Sequence, residues 1–371
     1  MEIKIKKNFL FLSVLILVLV FFNFEIIEGT GLYTSNLCLV ILFSYFYLSK
    51  KIKFTTITAF LIIIISIRFI ISINIDSFID YSKIILIICG YLFFKIIIVN
   101  KENIIFLFII SHFILILIGW FQDWSYYDLN EPRYSIKLYG SPNLTAFIIT
   151  INLILCFKEL GVRSNIAPYR KLILLFVIIF FLFTFYKTDS DGAKVTLISC
   201  YLFYLINKAN KRTRILSISI LFLLLFFLLY YIFKIDNNSL NLLSSGRLDI
   251  WNSLFKYDGI MNLLIGHGPG TLKLDNLYEY DKTVTSSHNL YLYIYYCYGL
   301  IGISLFFILI KMQLKSIKRT DKNFLFKTTL FTSILVASLF DSHLIAGQVL
   351  WFTSFILVLL ANERKNIRKL I

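Results

Sequence analysis

The sequence predicts an all-α integral membrane protein with about 12 transmembrane helices, and two observations lead to this fold class. First, 58% of its 371 residues are hydrophobic, more than a soluble domain of this length buries around one core. Second, the apolar residues form runs that recur along the whole chain, and each run is long enough for a helix that crosses a bilayer. We therefore interpret residues 1–371 as a single polytopic membrane domain.

The apolar runs place the helices one by one. The first run follows a basic start as a signal peptide would, but it lacks a small-residue cleavage site and is therefore expected to remain as a helix. The predicted spans are 9–24, 31–49, 54–75, 83–99, 104–121, 142–157, 172–186, 193–207, 215–233, 288–310, 326–341 and 347–361.

The basic residues predict the orientation of these spans. The formal net charge is +16, but the Lys and Arg residues fall into short clusters between apolar runs, which argues against binding to nucleic acid. The loops that alternate to one side hold 25 Lys and Arg residues, against 8 in the loops of the other side. Because cationic loops stay in the cytoplasm, both termini are predicted to be cytoplasmic.

One loop is much longer than the others. Residues 234–287 separate spans nine and ten on the predicted outer face, and they alternate turn residues with aromatic residues. A loop of this length is usually functional or disordered, and we expect an ordered structure that carries part of a site. The five cysteines lie inside apolar runs at no metal-ligand spacing, so neither a disulfide nor a metal site is expected.

A short helix is predicted within this loop. The pattern of Leu248, Trp251, Leu254 and Phe255 gives one apolar face, which suits a helix lying at the membrane interface, with Ser244 or Ser245 as its cap. Arg247 falls in the first turn, where the helix dipole does not favour a cation. It is a candidate for binding an anion such as phosphate, and the alternative is a surface arginine that meets lipid headgroups.

The segment Gly-His-Gly-Pro-Gly at 266–270 predicts a tight turn. Its glycines, Gly266, Gly268 and Gly270, allow a close backbone approach, either to an anion through N–H groups or simply in a bend that returns the chain to the membrane.

His288 follows two serines at the start of span ten. If Ser286 or Ser287 caps the helix, His288 lies in its first turn, where the positive end of the helix favours a neutral imidazole that can act as a general base. The alternative is a hydrogen-bonded histidine at the interface. Further polar residues lie near the predicted outer ends of spans six, seven, eight and eleven: Arg133, Lys137, Asp189, Asp191, Lys194, Asp341 and His343.

In order, these residues resemble the C-terminal signature of the O-antigen ligase and polymerase superfamily. The signature combines a Gly-Arg pair, a tryptophan, a glycine-rich turn, a His-Asn pair and a Gly-x-x-Gly step. Here its positions are Gly246, Arg247, Trp251, Gly266, Gly268, Gly270, His288, Asn289, Gly299 and Gly302. An upstream arginine followed by a Gly-x-Pro-Asn motif is matched by Arg133, Gly140, Pro142 and Asn143.

The resemblance implies a GT-C-like, metal-independent and inverting glycosyltransferase at the outer face of the bacterial cytoplasmic membrane, without a cofactor. Its donor would be an oligosaccharide linked to undecaprenyl diphosphate, and the site would open to the bilayer. His288 would be the general base, and Arg247 and Arg133 would bind the diphosphate. The family has an arginine where this chain has Asp191, so Lys194 is the predicted further diphosphate ligand, with Lys187 as the alternative. The supporting residues would be Gly246, Trp251, Gly266, Gly268, Gly270, Asn289 and Asn143.

We favour a polysaccharide polymerase that extends an acceptor glycan, working with a flippase and a chain-length regulator. The alternative is a ligase that attaches finished glycan to lipid A-core, since it shares these motifs. A lipid-linked sugar flippase or another transporter is less favoured, because transporters concentrate their polar groups at midplane and this chain places them at the outer face.

Overall fold

In the part of the chain that it describes, the computed structural model consists of helices, connecting segments and one short hairpin. It describes residues 25–27, 32–48, 66, 75–97, 101–121, 133–135, 141–162, 167–210, 212–220, 223, 239, 241, 244, 246–255, 259–274, 287–317, 323–345 and 350–360. In the hairpin, β1 (Glu25–Ile27) pairs antiparallel with β2 (Leu32–Tyr33). The helices are α1 (Thr34–Leu48), α2 (Ile75–Ile97), α3 (Lys101–Trp120), α4 (Pro142–Val162), α5 (Pro168–Thr188), α6 (Asp191–Lys208), α7 (Arg247–Leu254), α8 (Ile260–Ile265), α9 (Leu290–Ser316), α10 (Phe324–Phe340) and α11 (Leu350–Leu360), with a 3₁₀ turn at His343–Ile345.

Most of the long helices lie where the apolar runs predicted them. Helices α1 to α6 and α9 to α11 coincide in order with predicted spans from 31–49 to 347–361. Helix α2 begins earlier than predicted, at Ile75, so Asp80 belongs to a helix and not to an outer loop. Span 9–24 lies outside the described residues, as does 54–75 except for Ser66, and 215–233 is described, as helix, only at 215–220 and 223. The total of about 12 spans stays a prediction.

Helix α4 is the centre of the bundle. It packs against α3, α5, α6 and α10, and most of its apolar length is buried. Helices α6 and α10 pack closely along each other, and α11 packs against α2. The buried cysteines Cys156, Cys200 and Cys297 sit in α4, α6 and α9 as small interior side chains, as predicted.

Aromatic rings fill the interior between α3 and α11. Phe108 stacks on Phe355 with ring centroids 4.5 Å apart, and its ring lies 4.3 Å from that of the buried His112. Trp351 is also fully buried and packs on Phe108. Such rings bury large apolar areas with definite geometry, so they fix how these two helices pack.

Helix α5 has an exposed apolar surface on the outside of the bundle. A stripe of large apolar side chains runs along its outer surface at helical spacing and is exposed: Leu172, Phe176, Ile179, Phe183 and Tyr186. A contiguous apolar stripe of this kind is unsuited to water and suited to lipid tails. Among the described residues, Pro142–Gly161, Pro168–Thr188 and Leu290–Lys315 are long and apolar enough to cross a membrane, and further apolar helices are shorter. The structure therefore fits a helical membrane protein.

Residues predicted to lie on opposite sides of the membrane are found at opposite ends of the bundle. At one end Arg170 donates a hydrogen bond to Glu159 at 3.2 Å, and Lys158 lies over the ring of Phe326. All these residues come from segments predicted to be cytoplasmic. At the other end lie Arg133 and the residues around Asp189, from predicted outer segments. The structure is consistent with the alternating directions predicted for α4, α5 and α10, and the topology in the membrane, including which end faces outward, stays a prediction.

Candidate active site

A cavity of about 410 Å³ opens at the end of the bundle that is predicted to face outward. It lies where α4 and α6 begin and where α5 and α10 end, and α7 closes one side. Its polar wall contains Arg133, Asn143, Asp189, Ser190, Asp191, Ser244, Arg247 and Asp341, and its apolar wall includes Phe147, Trp251 and Phe340. This volume lies within the usual range of ligand-binding pockets, and several charged side chains converge on it.

Arg247 reaches the cavity because a compact turn fixes the start of α7. The Asn241 carbonyl accepts hydrogen bonds from the Ser244 hydroxyl at 2.8 Å and from the Gly246 N–H at 2.9 Å. The Ser244 hydroxyl in turn accepts from the N–H of Leu248. Gly246 is the N-cap residue with φ of 73°, a left-handed conformation that favours glycine. Arg247 follows as the first helical residue, and within the described residues its guanidinium forms no ion pair.

The buried face of α7 differs from the predicted one. Ile250 and Leu254 are fully buried in a small core that α9 completes, whereas Phe255 is exposed. Helix α7 therefore packs against α9, in addition to any contact with the membrane interface that its apolar residues predict. Trp251 donates from its indole Nε1 to the carbonyl of Ser287 at 3.0 Å, and it also lines the cavity.

Arg133 is held by the C-terminal end of α5. Its Nε donates to the Thr188 carbonyl at 3.0 Å, and one terminal nitrogen donates to the Asp189 carbonyl at 2.8 Å and to Oδ1 of Asn143 at 3.2 Å. Carbonyls at a helix C-terminus carry partial negative charge, which stabilises the cation there. These bonds use three of the five guanidinium N–H donors and fix Arg133 and Asn143 on the same cavity wall.

Lys194 is tied to two carboxylates. Its ammonium lies 2.5 Å from Asp189 and 2.9 Å from Asp191, and Lys194 is not among the residues that line the cavity. The hydrogen bond from Lys194 is the main reason that the pKa of the Asp189 carboxyl lies below its ordinary value. Asp191, which replaces the family's arginine, therefore serves as a partner of Lys194 at the cavity rim.

His288 precedes its helix, and the predicted capping by serine is wrong. Helix α9 begins at Leu290, and Asn289 is its N-cap, because the Asn289 side chain accepts from the N–H of Leu292 at 3.1 Å. Asn and Ser are comparable caps, so spacing did not distinguish them. His288 adopts φ of 48°, a left-handed conformation that costs a residue other than glycine about 1 kcal/mol or more.

Asp341 is the partner that sequence reasoning missed. It caps the C-terminus of α10 and lines the cavity, and its Oδ1 lies 3.9 Å from Nδ1 of His288. The two side chains are partly buried, at 32% exposed for His288 and 15% for Asp341. The sequence placed Asp341 near an outer end but offered no signal that pairs it with a residue 53 positions earlier.

The glycine turn supports α9 and does not line the cavity. Helix α9 is broken at Gly299, which has φ of 62° and ψ of −159°. The N–H groups of His267 and Gly268 donate to the carbonyls of Tyr296 and Cys297 at 2.8 and 3.0 Å, so these donors are not directed at an anion. A Cβ atom on Gly266 would lie 2.4 Å from the backbone of Cys297, so only glycine permits this contact.

The fold brings four of the predicted site residues together in one cavity. Arg133, Asn143, Arg247 and Trp251 line the cavity, whereas His288 is not among the lining residues and lies beside one of them, Asp341. Two guanidinium groups and an imidazole beside a carboxylate can bind an anionic leaving group and accept a proton.

Part of the chain matches a known protein family. Residues 175–307 match the family model described as O-antigen ligase, a segment that contains Arg247, Trp251, the glycine turn and His288. No curated protein matches the chain. At the level of the family, the match supports a membrane enzyme of the glycosyltransferase kind that acts on lipid-linked glycans in polysaccharide biosynthesis. The resemblance to the O-antigen ligase and polymerase superfamily is confirmed over residues 175–307.

Proposed function

We propose that the protein is a polysaccharide polymerase. It transfers an oligosaccharide repeat unit from undecaprenyl diphosphate to a hydroxyl group of an acceptor glycan, at the outer face of the bacterial cytoplasmic membrane. The observation that carries this proposal is the meeting of Arg133 and Arg247 in one cavity, with the His288 and Asp341 pair at its edge.

His288 is the general base of the proposed reaction. Its imidazole takes the proton of the acceptor hydroxyl as that oxygen bonds to the anomeric carbon of the donor sugar. The bond from this carbon to the diphosphate oxygen breaks on the opposite face, and its electron pair leaves with undecaprenyl diphosphate, so the anomeric configuration inverts. The Asp341 carboxylate stabilises the imidazolium that forms.

The two arginines stabilise the leaving diphosphate. A guanidinium group stays protonated at any working pH and binds phosphate oxygens through paired N–H donors, so it neutralises developing charge without a divalent metal. The guanidinium of Arg133 is held by hydrogen bonds at the end of α5, and the backbone of Arg247 is fixed at the start of α7, so both residues are placed at the cavity before the substrate binds. In the proposed complex the diphosphate lies between Arg133, at the end of α5, and Arg247, at the start of α7. The polyprenyl tail extends into the bilayer.

A ligase is the second candidate, and the description of the matching family model favours it. Both reactions use the same donor and the same leaving group. They differ in the acceptor, which is a growing glycan for the polymerase and lipid A-core for the ligase. Transfer to a purified acceptor of each kind therefore separates them.

The direct test uses the full chain reconstituted in lipid vesicles with a donor linked to undecaprenyl diphosphate. The expected product is a ladder of longer glycans on the lipid carrier, formed with chelator present. His288→Ala and Arg247→Ala are expected to weaken the ladder strongly at equal protein amounts and to leave a slow residual rate. Normal ladders from both variants would disprove the site, and transfer to lipid A-core alone would establish the ligase.

A further inference from the structure

Trp251 joins two parts of the candidate site that lie far apart in sequence. Its indole N–H donates to the Ser287 carbonyl at 3.0 Å, so α7 is attached to the residue immediately before His288. Arg247 lies one helical turn before Trp251, on the same side of α7. The hydrogen bond therefore connects the helix that carries a proposed diphosphate ligand to the turn that carries the proposed base.

The residue after His288 is anchored as firmly as the one before it. The side chain of Asn289 donates to the Leu339 carbonyl of α10 at 3.1 Å and caps α9 through Leu292. Ser287 and Asn289 are both buried, and the Ser287 hydroxyl donates to the Asn289 carbonyl at 2.6 Å. His288 thus lies between two anchored residues: the carbonyl of Ser287 is bound by α7, and the side chain of Asn289 is bound to α10.

This double anchoring explains the backbone of His288. A left-handed histidine persists only where its surroundings impose that conformation, and here the neighbours on either side impose it. In this conformation Nδ1 of His288 lies 3.9 Å from Asp341, and Asp341 lines the cavity. If one anchor is lost, the turn can relax to an ordinary conformation and carry the imidazole away from the carboxylate.

We infer that Trp251 is a positioning residue for the general base, acting through the Ser287 carbonyl, and that it couples the placement of His288 to the helix that binds the donor diphosphate. This inference rests on the proposed function, since it assumes that His288 is the base. It assigns to the indole N–H a role in the chemical step and not in donor affinity.

The test compares two tryptophans that make the same kind of bond. Trp251→Phe keeps an aromatic ring and removes the donor to Ser287. Trp120→Phe is the matched control, because the Trp120 indole donates to the Thr184 hydroxyl at 3.0 Å and Trp120 does not line the cavity. Replacing Trp251 by benzothienylalanine, in which sulfur replaces the N–H group, supplies a second variant with almost unchanged shape if the phenylalanine variant fails to fold.

The expected result is a selective loss of kcat. Misplacement of the base by about 1 Å costs about a hundredfold in rate, so kcat of Trp251→Phe should fall by about ten- to hundredfold, with the KM for the lipid-linked donor unchanged. Trp120→Phe should keep the wild-type kcat. In a His288→Ala background, Trp251→Phe should cause no further loss, because the group that it positions is absent.

Three outcomes would overturn the inference. The first is an unchanged kcat in both Trp251 variants, and the second is a raised KM with kcat retained, which would mean that Trp251 contacts substrate. The third is a full further loss of kcat in the His288→Ala background, which would mean that Trp251 acts elsewhere. A normal rate in His288→Ala alone would instead refute the proposed function, so the two failures are distinguishable.

Discussion

Oδ1 of Asp341 lies 3.9 Å from Nδ1 of His288, and the two residues meet from different helix ends. Asp341 terminates α10, and His288 precedes α9. In the proposed reaction a carboxylate at this position can stabilise the positive charge that the imidazole gains when it accepts the proton of the acceptor.

Asp341→Asn is therefore expected to lower kcat. The amide oxygen can still accept from the Ser342 N–H, as Oδ1 does now at 2.7 Å, so the substitution removes the charge and little else. Two opposite charges about 4 Å apart attract each other by about 1 kcal/mol in water and by more within a protein, so kcat should fall by about fivefold or more with KM unchanged. Steady-state kinetics in vesicles measures both constants. An equal loss in a His288→Ala background would contradict the pairing.

His288→Gly is expected to separate stability from activity. Glycine adopts positive φ without the penalty that histidine bears, so the variant should be at least as stable to heat as the wild type. Transfer should fall by about 10²- to 10⁴-fold, the usual contribution of a general base. Melting temperature and rate are measured on the same preparation. A destabilised variant would show that the left-handed turn is not strained.

Arg247→Ala is expected to impair transfer more than Arg247→Lys. Lysine keeps the charge but lacks the paired donors that bind a diphosphate in a fork, so its kcat/KM should be intermediate. The loss in the alanine variant should be about tenfold to several hundredfold, from one or two charge-assisted hydrogen bonds. Lys273→Ala, an exposed cation of the same loop, is the control and should retain wild-type kcat/KM. Equal losses in all three variants would exclude a specific phosphate contact.

Lys194→Ala is expected to affect transfer less than Arg247→Ala, because its ammonium is already paired with Asp189 and Asp191. The effect of this substitution on stability is expected to depend on pH. The pKa of Asp189 is lowered in the folded protein, so the associated stability is present above the ordinary aspartate pKa and is lost as the pH falls through the lowered one. The difference in melting temperature between wild type and variant should therefore shrink below about pH 4. The pair is exposed, so this difference should be small.

Gly266→Ala and Gly299→Ala are expected to prevent normal folding. In each, the new Cβ would lie 2.4 Å from backbone atoms, and each glycine has positive φ. Overlap and backbone strain together should cost about 3 kcal/mol or more. Gly161→Ala is the control, because a Cβ there meets nothing within 4 Å and alanine favours a helix. The melting temperatures of the purified proteins test this prediction. A Gly266→Ala variant as stable as the wild type would disprove the close contact.

The sequence predicted where most helices lie, but not which side chains pair with each other in the site. Apolar length located α4, α5 and α9 to within a few residues, because lipid and core both require continuous apolar runs. The order of Gly246, Arg247, Trp251 and His288 located the site through its resemblance to a family. The pairing of Asp341 with His288, and of Lys194 with two carboxylates, depends on which helix ends meet, and no local pattern records that. The start of α9 was misplaced because serine and asparagine cap equally well.

The break at Gly299 has a consequence for how α9 sits in the bilayer. From residue 300 to Ser316 the uninterrupted helix has 17 residues and a length of about 25 Å, slightly less than the roughly 30 Å of a hydrocarbon core. The carbonyls of Tyr296 and Cys297 would then lie at a depth where lipid tails offer no donors, and the turn at 266–270 provides these donors itself. A thinner or thicker membrane would shift the depth of this joint, so the rate of transfer should depend on the acyl chain length of the surrounding lipid.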